Sequence, residues 1–216
     1  GINPYTVREK GTLGKIVPSA VKDTMTIITL GGEICGNDII YMKDSLKVST
    51  IDMSQARIVE GPGKYNNNYT TTNDVVGSRM FQGIDIQKII LPESTKEIAD
   101  YAFNLNKTVS SVIIGENVTS IGNSAFNGCT ALETFHVPNH IDNIGYASFE
   151  NCSSLHTFTG KFVSSNGRCL VIDDVLLAVA PAGLKTLEIE EGVKHLQQES
   201  LAYVSELEII TLPFVW

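Results

Sequence analysis

Basic residues are scarce in this chain and nowhere clustered. Its 216 residues carry 16 Lys and Arg against 24 Asp and Glu, a net charge of −8 with a pI near 5.0. No surface built to neutralise a phosphate backbone is expected, and nucleic acid is excluded as a partner. Long apolar runs are missing as well. The longest, Val175-Leu-Leu-Ala-Val-Ala180, has six residues, against the roughly 18 that a membrane-spanning helix needs. Cysteine is limited to Cys35, Cys129, Cys152 and Cys169, too few for a disulfide framework and too far apart for paired CxxC zinc knuckles, so the redox compartment stays open. The first residue is Gly1, not Met. A secretion signal would already be gone, and the terminus does not give the localisation. What remains is 43% apolar and 19% charged, a composition that excludes disorder and suits one generous domain or two small ones.

A repeat organises the chain. The pattern apolar-x-x-apolar-x-apolar occurs as Ile86/Ile89/Leu91, Val109/Val112/Ile114 and Leu132/Phe135/Val137, in steps of 23, and continues at Leu155/Phe158. It returns after an excess of six residues at Leu184/Leu187/Ile189 and Leu207/Ile210/Leu212. Upstream it occurs at Met25/Ile28/Leu30 and Val48/Ile51/Met53, with a 15-residue excess before Ile86. Each unit has a second half in the same phase: Ile98 to Phe103, Ile121 to Phe126, Ile144 to Phe149 and Leu196 to Leu201. An apolar residue followed four and five positions later by a small and a large one fits a single inward-packing helical turn. Pro92, Pro138 and Pro213 mark corners where the alternating runs end. No such unit buries its apolar side alone, so stacked coils with parallel strands are predicted, about eight rungs forming a sheet roughly 34 Å long.

These units resemble leucine-rich repeats, and more narrowly the BspA-like bacterial surface repeats. The resemblance rests on Leu132-Glu-Thr-Phe-His-Val-Pro138 followed by Ile144-Gly-Tyr-Ala-Ser-Phe-Glu-Asn-Cys152, and it covers about residues 46–213. It implies an α/β solenoid, a right-handed leucine-rich repeat coil with a parallel concave sheet. It also implies a secreted or surface-displayed module that binds proteins or host matrix components, or else a structural spacer within a larger surface protein. Residues 1–45 are expected to form an N-terminal helical cap and first rung, and 46–216 the repeats, with insertions near 61–75 and 161–182.

The cap is expected as a helix through Leu13, Ile16, Val17, Ala20 and Val21, with Thr12 as N-cap and a kink or restart at Pro18. Asp38 to Met42 reads as a short outer helix. Phe158 to Leu176 resembles the hairpin-bearing irregular repeat of the family, with Asn166-Gly167 as its turn. Gly61 to Asn73 reads as a polar surface loop, either a tolerated excursion or a binding loop in which Tyr65 and Tyr69 are contact residues. The last pattern is followed only by Phe214, Val215 and Trp216, so the chain is expected to stop within a repeat. These residues fold over the last coil, or the parent chain continues, or a second molecule pairs there; the sequence leaves this and the oligomeric state open.

Residues flanking the middle apolar position of each strand are expected on the concave face. The candidate binding residues are Lys88, Ile90, Ser111, Ile113, Thr134, His136, Thr157, Thr159, Thr186 and Glu188. The face lacks aromatics and Arg, and β-branched residues also sit in strands for their own sake. His136, His140 and His156 come near one another but alternate in direction. His156 shares the phase of Glu133, which predicts a Glu133–His156 pair and not a metal site. No Gly-x-Ser-x-Gly elbow, HExxH helix or phosphate-binding glycine loop occurs. Asp173-Asp174 and Glu190-Glu191 read as solvated turns. No catalytic, cofactor or metal-binding residue is therefore predicted, and the chain is not expected to be an enzyme. Cys129 and Cys152 share a phase and should stack about 5 Å apart, as buried thiols or a disulfide. Phe103, Phe126 and Phe149 should form a core ladder.

Overall fold

In the computed structural model, residues 4–214 are described; Val215 and Trp216, whose folding over the last coil was one expectation, lie outside them. In chain order the first elements are β1 (Tyr5–Val7), α1 (Leu13–Ile16), β2 (Ile27–Ile34), α2 (Gly36–Asp44), β3 (Thr50–Ile58) and β4 (Val75–Val76). Short strands then alternate: β5 (Lys88–Ile90), β6 (Glu97–Ile98), β7 (Ser111–Ile113), β8 (Ser120–Ile121), β9 (Thr134–His136), β10 (Asn143–Ile144) and β11 (Thr157–Thr159). An irregular segment holds β12 (Cys169–Ile172) and β13 (Val175–Val179), and β14 (Thr186–Glu188), β15 (His195–Leu196) and β16 (Ile209–Thr211) complete the series.

The 23-residue spacing becomes strand register. Ile28 lies beside Ile51, Ile51 beside Ile89 and Ile89 beside Val112, all in parallel, and Phe135 beside Phe158 and Leu187 beside Ile210 likewise. The stack is a parallel β-solenoid with few helices. The expected continuous eight-rung sheet is nevertheless divided. β1-β2-β3-β5-β7 form one ladder, β9-β11 a second and β14-β16 a third. The second break falls where residues 160–182 intervene: the Phe158 N–H donates to Gly167 O and the Ala182 N–H to Leu155 O.

The second half of each coil differs from the expected helical turn. A two-residue strand joins the parallel ladder β4-β6-β8-β10, and the chain then turns through positive φ at Tyr101, Ser124, Ala147 and Glu199, three residues after Ile98, Ile121, Ile144 and Leu196. These conformations cost about 1–2 kcal/mol each for L-residues. The turn N–H groups bond the next coil: Tyr101 N donates to Asn123 O, Phe103 N to Ala125 O, Ser124 N to Tyr146 O and Phe126 N to Ser148 O. A helix would spend those donors within its own turn. Coils approach so closely here that a Cβ on Gly122 or Gly145 would lie within 2.4 Å of atoms of the preceding coil. Val76 to Phe81, with Arg79 at positive φ, is a further second half that the sequence pattern missed.

Inside the stack Phe81, Phe103, Phe126 and Phe149 form a ladder with ring centroids 5.3, 5.1 and 5.4 Å apart. Phe135 and Phe158 pack edge-on against it. The expected ladder is therefore present and longer. Asn106, Cys129 and Cys152 occupy one phase. The Asn106 amide donates to Phe81 O, and the two thiols to Phe103 O and Phe126 O at 3.3 and 3.2 Å. All four cysteines are free and buried, so Cys129 and Cys152 are stacked thiols and not a disulfide.

The N-terminal cap is built differently from the expected helix. β1 extends the main ladder against Leu30–Gly32, α1 spans four residues only, and Ile16 and Ala20 are exposed. The Thr12 side chain makes no cap bond. Its place is taken by the buried Asp38 carboxylate of α2, which accepts N–H groups from Gly11, Leu13 and Cys35. Tyr65 is corrected from surface contact to core: it is 1% exposed and stacks on the half-buried Tyr69 at 5.8 Å. In the irregular segment, Asn166-Gly167 lies in a turn, as expected, between the antiparallel-bridged Val163 and Leu170, and a second hairpin, β12-β13, turns at Asp173-Asp174, both at positive φ. β13 then pairs in parallel with β15.

The 61–73 excursion rejoins the stack at Asp74. The Asp74 side chain is 6% exposed and takes both ends of the Arg57 fork, Nε at 2.9 Å and Nη2 at 3.0 Å. Its carboxyl is held below the usual range, first by the Arg57 hydrogen bonds, against the opposing effect of burial.

Two outcomes follow. Phe126→Ala should destabilise the protein by about 3–5 kcal/mol in urea denaturation, because three rings lose their partner. A carboxyl whose folded pKa is depressed contributes stability that is present above its unfolded value near 4 and lost as pH falls through the folded value. Asp74→Asn should therefore lower Tm at pH 7, and the gap to wild type should close as melts are taken from pH 5 toward pH 3.

Candidate interaction face

Each short strand of the main ladders buries its middle residue, Ile89, Val112, Phe135, Phe158 or Leu187, and turns the two flanking side chains outward. The ten candidate residues occupy these flanking positions. Lys88, Ile90, Ser111 and Thr157 are half-buried, while Ile113, Thr134, His136, Thr159, Thr186 and Glu188 are exposed. Register sets Lys88 beside Ser111 and Ile90 beside Ile113, and Thr134 beside Thr157 and His136 beside Thr159. Thr186 and Glu188 pair with Ile209 and Thr211. The ladder break at residues 160–182 keeps them out of register with Thr157 and Thr159.

Ile113 is 44% exposed and forms, with Ile90, an apolar spot in the first ladder. Next to it along the chain stands a fixed polar network. Glu116, in the loop after β7, takes His136 Nε2 at 2.9 Å on one carboxylate oxygen and the Asn139 N–H at 3.0 Å on the other. His136 Nδ1 lies 3.0 Å from Thr159 Oγ1. These contacts, the Asn139 N–H foremost and His136 next, hold the Glu116 carboxyl below its ordinary range. The predicted Glu133–His156 pair does not form: the His156 ring lies 3.0 Å from Thr157 Oγ1, and only its backbone N–H reaches Glu133 O. Glu116 was not legible as the partner because it sits 20 residues from His136, outside the repeat phase.

Among the described residues no three His, Cys, Asp or Glu side chains converge to hold a metal ion, and no helix is long and apolar enough to cross a membrane. Burial drives the thiols away from reactivity: Cys129 is pushed up to about 12, Cys169 to about 11, and Cys152 well above its ordinary value.

Parallel coils registered every 23 residues, each with an apolar strand and an inward-packed turn, define a leucine-rich repeat solenoid. Residues 67–166 match the BspA type leucine rich repeat region in six copies. The fold is shared with the pneumococcal vaccine antigen PcpA, at 16% identity and a TM-score of 0.52 over 87% of this chain and 50% of that one. A leucine-rich repeat protein from Bacteroides capillosus aligns at 20% identity and a TM-score of 0.41, covering 55% of this chain and 81% of that one. One from Eubacterium ventriosum aligns at 14% and 0.49, covering 86% and 57%. The chain thus spans about half the length of two of these three structures. Comparison with curated proteins gives no match.

Thiol accessibility checks the packing of this region. In native protein at pH 8, a chromogenic disulfide reagent should react only as fast as the fold opens, and denaturation should release all four thiols.

Proposed function

We propose that the chain is a non-catalytic module, displayed at the cell surface or secreted, that binds a protein or host matrix component through its strand face. The observation that carries this reading is the exposed Ile113, with Ile90 beside it, next to the His136–Glu116–Thr159 network. An apolar centre with an ordered polar border is the anatomy of a protein-binding patch. The acidic net charge makes nucleic acid a poor partner, and the BspA-type repeats support a surface location. A spacer role is the second reading. It is favoured by the hydroxyl-rich remainder of the face, Thr134, Thr157 and Thr186, which offers no aromatic or Arg anchor.

The test is binding of the purified chain to an array of matrix proteins and mucins, alongside the combined substitution of Lys88, His136 and Glu188 by Ala. Saturable binding that the triple variant loses while keeping its Tm supports the strand face. Absence of binding at high micromolar concentration favours the spacer.

A further inference from the structure

A second site lies at the corner between the main strands and the β4-β6-β8 ladder, away from the strand face. There Arg57, Asp74, Ser94, Lys96, Asn117 and Thr119 line an open groove of about 590 Å³, large enough for one sugar unit. Asp74 and Arg57 alone would make a staple for the excursion loop. The groove holds more than a staple requires. Lys96 places its ammonium 4.0 Å from the same carboxylate, so two cations share the Asp74 anion. Asp74 is buried, whereas Arg57 and Lys96 are 55% and 72% exposed, so the anion is on the inside and the cations face solvent. The Arg57 fork engages Nε and Nη2 only, leaving Nη1 without a protein partner among the described residues. Glu33, beside Arg57 across the β2-β3 pair, acts on it only through space.

The rest of the lining selects among anions. Asn117 and Thr119 use one donor each on backbone carbonyls, at Glu93 and Lys96, which leaves the Asn117 carbonyl oxygen and the lone pairs of the Thr119 hydroxyl for a ligand. No apolar side chain lines the groove, which argues against a peptide anchored by an apolar residue. It suits a ligand that carries one carboxylate and many hydroxyls. We propose that this groove binds an acidic sugar of the uronic acid type, its carboxylate bridging Arg57 and Lys96 and its ring hydroxyls meeting Asn117 and Thr119. Asp74 is then a positioning residue that holds the Arg57 guanidinium in place.

The experiment is an NMR titration of the whole chain with D-glucuronate, with D-glucose as the neutral sugar and N-acetylglycine as a carboxylate without hydroxyls. Arg57 and Asp74 stay intact because they fasten the fold. Lys96→Met and Asn117→Ala change solvent-exposed side chains, and melts confirm that each variant folds. Glucuronate should saturate shifts at these residues with a Kd of about 1 mM, as befits a single sugar unit. Lys96→Met should weaken it by about tenfold or more, and Asn117→Ala by a smaller factor. Added salt should weaken it further. Failure to saturate, equal affinity in Lys96→Met, or equal binding of glucose overturns the site. Equal binding of N-acetylglycine overturns the sugar assignment.

Discussion

The central coils of this protein spend their turn N–H groups on the carbonyls of the next coil, and the rest of the architecture follows from that choice. Tyr101, Phe103 and Leu105 donate to Asn123, Ala125 and Asn127, and Ser124, Phe126 and Gly128 repeat the step to Tyr146, Ser148 and Glu150. Donors committed outward cannot close a helical turn, so the chain accepts positive φ at Tyr101 and Ser124. The same bonds hold neighbouring coils at strand spacing. At that spacing the rings of Phe103, Phe126 and Phe149 stack in series, each within 5.4 Å of the next. Buried hydrogen bonds fix the register, and aromatic burial supplies the stabilisation that the strained turns cost.

The strands were legible because burial on one side of a strand has a period of two, and the 23-residue step repeats that signal in phase. The turns were not. Ile98, Ala102 and Phe103 have helical spacing, and nothing in the residue types says that the intervening N–H groups find partners 22 residues away. Val76 to Phe81 escaped for a related reason: its step to Ile98 is 22, and Gly77, Ser78 and Arg79 conceal the apolar pattern. Tyr65 misled through composition. Polar neighbours from Asn66 to Asn68 suggest a solvated loop, yet its ring lies so close to the backbone that a Cβ on Gly77 would overlap its hydroxyl. In the irregular segment both turns were legible from residue type, Asn166-Gly167 between Val163 and Leu170 and Asp173-Asp174 between β12 and β13, but the parallel pairing of β13 with β15 was not.

The face inherits both the regularity and the interruptions of the ladder. Where register is unbroken, side chains two apart on one strand meet their counterparts on the next, which makes neighbours of Ile90 and Ile113, and of His136 and Thr159. Where residues 160–182 intervene, Glu188 is carried away from that set. Of the site, sequence could give the row of outward positions but not its segmentation. It could not give Glu116 as the partner of His136 either, because that pair spans 20 residues and not the 23 of the repeat.

In a stack whose units touch only their neighbours, stability is a sum of nearest-neighbour interfaces. Those interfaces are unequal here. Six phenylalanines and the Asn106–Cys129–Cys152 series concentrate burial between Phe81 and Phe158. Coils beyond Cys169 share a smaller aliphatic cluster around Leu176, Leu187 and Ile189, with Leu201, Leu207 and Leu212 only partly covered and Ile209 58% exposed. The outward residues from Lys88 to Thr159 stand on the aromatic segment, and the groove at Arg57 and Lys96 is fastened to its margin by a buried carboxylate. Side chains that must hold a fixed geometry for a ligand are best placed on the coils that open least often, because local opening releases the register on which their spacing depends.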